Sequence, residues 1–444
     1  MPKFSLLFLT AATILAIAPS QGFAHSYGPV ARLTAAPGDN ARACTSCHTG
    51  TLNSGTGAVK ILLLSGPVYI PGVKQRISVE VSDPTQQRWG FEFSARLNSD
   101  LVNGQAGKLT PVDNLTQVIC EDNAPEPCST GVNFIQHTSA GTRKGTKNGV
   151  TFQFDWTPPA TNAGPVTFYV AGNAANGDNN LTGDLIYTSS IQLNPVTPAA
   201  PSVPAGNVLS AATYLAGPVA PNSWVAIFGS NLGVTTRSWS DSDFVDGAMP
   251  TSLDGVSVIL TAFGAPRRAY VGYVSPTQVN ILLPSDTNST TVQVQVKNGA
   301  GLTTPLPITV QANAPQLLTL DGKYVFAMHA NGSIVGKAGL LPATTSSPAT
   351  PGETVQFYGT GCGPTNPALT PGQTPSQTVT LATLPPVTIG GAAAPVSSAV
   401  LSPSNPGVCQ IMAQIPSSAP NGDLPVVVQL GTFSSAPTLI TVLK

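Results

Sequence analysis

The chain has 444 residues, 41% of them hydrophobic and only 9% charged, with a net charge of −1 at pH 7. At roughly 150 residues per domain, this length accommodates about three domains, each able to bury its own core. A surface so poor in Lys and Arg has no cluster to set against a phosphate backbone, so no nucleic-acid partner is expected.

Lys3 precedes an apolar run from Phe4 to Ala18, and Gly22-Phe23-Ala24 follows as a small-residue cleavage site. The run is too short to span a bilayer and reads as a signal peptide over residues 1–24. The mature protein is then secreted or extracytoplasmic, in the periplasm or at the cell surface. No cysteine follows closely enough for a lipid anchor. Later apolar runs are broken within about ten residues, so no transmembrane segment is expected after cleavage. His25 becomes the mature N-terminus, where its amine and ring could chelate copper.

Residues 25–54 form an N-terminal arm holding Cys44-Thr-Ser-Cys47-His48. Two thiols three positions apart, followed by an imidazole, have the spacing for covalent haem c: both sulfurs add to the haem vinyl groups and His48 becomes the proximal iron ligand. The same thiols could instead close a small disulfide, or bind another metal with further ligands. The arm is too short and too poor in apolar residues to wrap a haem by itself, so a neighbouring sandwich has to supply the wall. Among sixth ligands for the iron, the first domain has no Met beyond Met1. His137 is the favoured distal candidate over His25, because a strand would hold it more firmly than a free terminus.

From residue 55 to 193, strand signals dominate. Val150, Phe152, Phe154 and Trp156 alternate with polar residues, as do Ile77, Val79 and Val81, then Phe91, Phe93, Ala95 and Leu97, then Val166, Phe168 and Val170. This is the period of half-buried strands, about eight of them, enough for one β-sandwich. Cys120 and Cys128 bracket a polar loop that a disulfide would restrain. The stretch Asn173 to Asp184 is rich in oxygen donors but lacks the carboxylate spacing of a calcium loop, and reads as a hairpin turn.

A Pro- and Ala-rich stretch, 194–205, reads as a stiff linker. Beyond it the sequence repeats: Trp224 to Gly233 recurs as Thr354 to Gly363, and Gln278 to Pro284 as Gln410 to Pro416. Two copies of one Ig-like unit follow, at 206–312 and 313–444. The positions matching Cys362 and Cys409 in the first copy are Leu232 and Thr277, so both cysteines are missing together, as a disulfide between them predicts. No catalytic set stands out. Gly229-Ser-Asn-Leu-Gly233 lacks the offset of a nucleophile elbow, and His329 is the only histidine after the linker.

Residues 36–193 resemble the Reeler-like, choice-of-anchor type of secreted bacterial domain. The likeness rests on Ala36-Pro-Gly38 before the Cys44 motif, Trp89-Gly-Phe-Glu-Phe93, His137-Thr138, Trp156-Thr-Pro-Pro159, and Phe168 to Asn176 followed by Gly183-Asp184. Residues 206–444 resemble the Solibacter-type uncharacterised C-terminal domain, related to IPT/TIG Ig-like folds, through Pro221 to Gly233, Val274 to Asn280, Tyr358 to Gly361 and Ile389-Gly-Gly391; Asn405 to Gln410 departs from that pattern. These resemblances imply β-sandwich modules and export, but no reaction.

The expected protein is therefore all-β, three sandwiches in series. Its leading function is c-type haem binding, for electron transfer or redox sensing, with a redox protein or a cell-surface component as partner. The alternative is an adhesion or glycan-binding surface protein whose Cys-x-x-Cys is purely structural, and copper oxidation at His25 comes third.

Overall fold

The computed structural model describes residues 26–444 except 130, 288–289, 343, 376 and 403–404; the signal segment and His25 lie outside the described residues. The protein is all-β, and the only helices among the described residues are short 3-10 turns. By chain contacts it divides into two compact units: residues up to Leu62 with Ile77–Asp155 and Val166–Ile191, and Leu63–Arg76 with Trp156–Pro165 and Gln192–Lys444.

The first sandwich region is built from β1 (Ala58–Leu63), β2 (Val68–Tyr69), β3 (Gln75–Asp83), β4 (Arg88–Leu97), β5 (Asp100–Gln105), β6 (Lys108–Pro111), β7 (Thr116–Cys120), β8 (Asn133–His137), β9 (Asn148–Thr157), β10 (Val166–Ala175) and β11 (Leu185–Pro195). One sheet runs β1-β3-β9-β6. The other runs β2-β11-β10-β4-β8-β7, with β5 also on β4. Strand alternation drives an aromatic ladder between them: Phe91 packs on Phe152 with ring centroids 4.4 Å apart, Phe93 on Phe154 at 4.9 Å and on Phe168 at 5.0 Å. Rings offset or edge-on at such distances add to the burial of large apolar surfaces.

The opposite face of β4 is the less expected one. Glu92, Ser94 and Arg96 alternate with the Phe residues and would face water on a two-layer reading, yet all three are fully buried. They are covered by the arm. Leu33 N–H donates to Glu92 Oε2 at 2.5 Å, the Thr34 hydroxyl lies 3.2 Å from that of Ser94, and Arg96 Nη2 donates to Asp39 Oδ1 at 2.7 Å. Asp39 Oδ2 in turn accepts from Thr34 Oγ1 at 2.6 Å. Gly38 sits where a Cβ would lie 2.6 Å from the Val102 Cα, so the Ala36-Pro-Gly turn can press onto β5 only without a side chain. The arm is thus held by a network of buried polar groups.

In the second unit, Trp224–Phe228 pairs with Gln278–Leu282, and Thr354–Thr360 pairs with Cys409–Gln414. Phe228 stands opposite Gln278, and Tyr358 opposite Gln410, so the repeated segments pair in the same register in both copies. Each copy adds a second sheet, centred on Thr290–Asn298 in one and Gly422–Leu430 in the other. The Pro-rich stretch is extended and tied down: Ser202 and Ser230 exchange backbone hydrogen bonds at 3.0 and 2.9 Å, and the Ala199 carbonyl accepts from Asn298 Nδ2 at 2.8 Å. Cys120–Cys128 and Cys362–Cys409 are disulfide-bonded. Leu232, the counterpart of Cys362, is buried and donates its N–H to the Pro276 carbonyl, beside Thr277.

Candidate functional site

Cys44–Ser46 forms a single 3-10 turn, closed by N–H groups of Cys47 and His48 that both donate to the Cys44 carbonyl, at 3.1 and 2.9 Å. The motif is anchored to the loop joining β10 and β11, where Thr49 N–H donates to the Leu181 carbonyl at 2.8 Å. Neither Cys44 nor Cys47 is in a disulfide; Cys44 is buried against Ala43, Ala171 and Ile186, and Cys47 is exposed. Burial, reinforced by the nearby Glu92 carboxyl, pushes the Cys44 thiol up to about 12. A thiol so placed stays protonated at neutral pH, unlike the depressed thiols of redox-active Cys-x-x-Cys pairs.

Cys44, Cys47, His48 and His137 all line one small, solvent-open cleft between the arm and the outer face of β4 and β10. Trp89, Gly90, Phe91, Asn173 and Ala175 line the cleft beside Pro29, Val30 and Leu33 of the arm. Trp89 is buried, and its indole N–H donates to the Thr146 carbonyl at 2.9 Å.

His48 Nδ1 donates to Asp184 Oδ2 at 2.6 Å, and Asp184 Oδ1 accepts from Asn176 N–H at 3.1 Å. The Asn173 amide nitrogen lies 3.2 Å from His48 Nε2, while Asn173 Oδ1 is buried with no hydrogen-bond partner in the protein. His137 ends β8, with its Nδ1 3.1 Å from Phe91 N and 3.2 Å from Phe91 O. A Cβ at Gly90 would lie 2.7 Å from His137 Cε1, so glycine makes room for that ring. Asp184 and Asn173 belong to the stretch rich in oxygen donors, which forms the end of β10 and its hairpin loop. Its sequence signal was the density of polar residues, not the imidazole they hold.

Among the described residues, no three His, Cys, Asp or Glu side chains converge as a metal site. In the second unit, His329 pairs through Nδ1 with Glu353, and its Nε2 lies 3.0 Å from the Ser347 carbonyl and 3.1 Å from the Ser347 hydroxyl. The carbonyl takes the ring nitrogen that a nucleophile would need. The arrangement is a structural tie between loops.

No protein-family model matches the chain, and no curated protein matches it. Among solved structures, it is similar to the Bacteroides ovatus mixed-linkage glucan utilization locus protein SGBP-B, in complex with a mixed-linkage heptasaccharide, at 10% identity over 89% of this chain and 69% of that one, with a TM-score of 0.25. A cohesin module from a Clostridium perfringens family 33 glycoside hydrolase follows at 12% identity, over 32% of this chain and 98% of that one, TM-score 0.22. The titin I-band fragment I67–I69 gives 10% identity over 88% and 100%, TM-score 0.16. Overlaps this loose assign the chain no ligand and no partner.

Proposed function

We propose that this chain is an exported c-type haem protein, serving electron transfer or redox sensing at the cell surface, with the haem held in the cleft between the arm and β4. What supports the reading is one observation: Cys44, Cys47, His48 and His137, scattered over almost a hundred positions, line the same cleft. The donor set fits the group. Both thiols are unbonded, as addition to vinyl groups requires. Asn173 Oδ1 is an orphaned buried acceptor of the kind that marks an incomplete site.

A haem bound here supplies a one-electron iron couple. Cys44 and Cys47 would hold it through thioether bonds, each S–H adding across one vinyl group with no atom leaving. His48 Nε2 would be the proximal ligand, drawn from the Asn173 amide. His137, whose Nδ1 lies within reach of both the Phe91 N–H and the Phe91 carbonyl, would be the distal ligand. Val30 and Leu33 of the arm would keep water from the apolar side of the cleft. The two disulfides fit an oxidising compartment, and among the described residues no helix is long and apolar enough to cross a membrane.

The test is expression with a c-type maturation system. A Soret band and a covalent mass increase of one haem, both lost in the Cys44→Ala/Cys47→Ala variant, are expected; a colourless protein of unmodified mass rejects the reading.

The second reading is adhesion or glycan binding. It is favoured by exposed rings that sugars could stack on, with Tyr27 at 62%, Tyr214 at 51% and Phe263 at 83% exposure. Retention on immobilised polysaccharide by the colourless protein, weakened by Phe263→Ala or Tyr214→Ala, would establish it.

A further inference from the structure

Resting on the haem reading, we infer that Asp184 is the positioning residue of the site: it fixes the proton of His48 on Nδ1, presents Nε2 to the iron and lowers the reduction potential through that bond. The side chain of Asp184 is 1% exposed, yet it has no Lys or Arg ion-pair partner among the described residues. A carboxylate that deep needs donors on its oxygens. Two are seen: the Asn176 N–H on Oδ1 and the His48 ring on Oδ2 at 2.6 Å, a length typical of charge-assisted bonds. Because the carboxylate can only accept, His48 must donate from Nδ1, and the tautomer follows.

The carboxylate is itself held. Asn176 Nδ2 donates to the Thr182 carbonyl at 3.1 Å, and Gln86 Nε2 lies 3.3 Å from the Gly183 carbonyl, so the loop that carries Asp184 is braced on both sides. Thr49 N–H bonds to Leu181 of the same loop, and this ties His48 and Asp184 into one unit although 136 positions separate them. A carboxylate on the far nitrogen makes an imidazole a stronger electron donor, which favours the oxidised metal. Asn173 sits across the ring, with its amide nitrogen within 3.4 Å of both ring nitrogens, and limits how far the imidazole can turn.

The experiment compares wild type with Asp184→Asn and Asp184→Glu. In the haem-loaded protein, Asp184→Asn should move the potential to more positive values, changing the oxidised-to-reduced ratio about tenfold, or about 59 mV for one electron. Asp184→Glu, which keeps the carboxylate, should recover part of the shift. In the haem-free protein, ¹⁵N spectra should show the His48 proton on Nδ1 in wild type and its displacement in Asp184→Asn. A coloured Asp184→Asn protein with unchanged potential overturns the inference, as does a haem-free wild type with Nδ1 unprotonated. A colourless wild type rejects the haem instead, and the ¹⁵N result still decides the role of Asp184.

Discussion

Glu92 on β4 and Gln136 on β8 stand directly opposite one another in register, and the Oε1 of each is buried with no partner in the protein. Burial first, and then the charge of Asp39, hold the Glu92 carboxyl well above the usual range. A protonated Oε1 would supply a donor on the face shared with Gln136, whose Oε1 otherwise lacks one. A carboxyl raised in the folded state contributes stability that is fully present below its unfolded value, roughly 4.3, and is lost as pH rises through the folded value. Denaturation midpoints should therefore fall with rising pH in that window. Glu92→Gln, whose amide can make the same bond, should flatten the profile; an unchanged profile would show that Glu92 does not titrate there.

Removing Asp39 leaves the Arg96 guanidinium, fully buried, without its ion-pair partner. Breaking a buried pair from one side costs about 3–5 kcal/mol. Asp39→Ala should destabilise the first unit by that order in chemical denaturation and expose residues 26–48 to limited proteolysis. A loss below about 0.5 kcal/mol, the usual size for surface changes, would mean the arm is held elsewhere.

Gly90 makes a separate test of the cleft. Gly90→Ala places a methyl against the His137 ring, at 2.7 Å before any adjustment. Overpacking of this kind costs about 1–3 kcal/mol. If His137 is the distal ligand, the haem-loaded variant should also lose its six-coordinate low-spin spectrum. Retention of that spectrum would remove His137 from the coordination sphere.

The two disulfides should differ in weight. Cys362–Cys409 closes a separation of 47 residues, and Cys120–Cys128 only 8. The chain-entropy relation gives about 4 kcal/mol for the longer loop and about 2.5 for the shorter. Paired Cys→Ala variants compared by denaturant midpoint should follow that order.

Residues that follow a period were readable from sequence, and residues that answer to a distant segment were not. Phe152, Phe154 and Trp156 announce a strand face by alternation, and the paired loss of Cys362 and Cys409 from the first copy pointed to their bond. The Cys44 motif and His137 were legible as chemistry, because thiols and imidazoles are few in this chain. The burial of Glu92, Ser94 and Arg96 was not legible, because alternation says which residues share a face and not what covers it. Asp184 was hidden among the polar residues of a hairpin. Its partner lies 136 positions away, and only tertiary structure joins them.

The bond between Cys362 and Cys409 has a mechanical side. If the chain is pulled from its ends, the first repeat can pay out its whole contour, while the second keeps the loop between its sulfurs, a separation of 47 residues, locked in a ring. At about 3.4 Å per extended residue, roughly 160 Å of slack is withheld. Under stretching force the copy nearest the carboxyl terminus would therefore lengthen least.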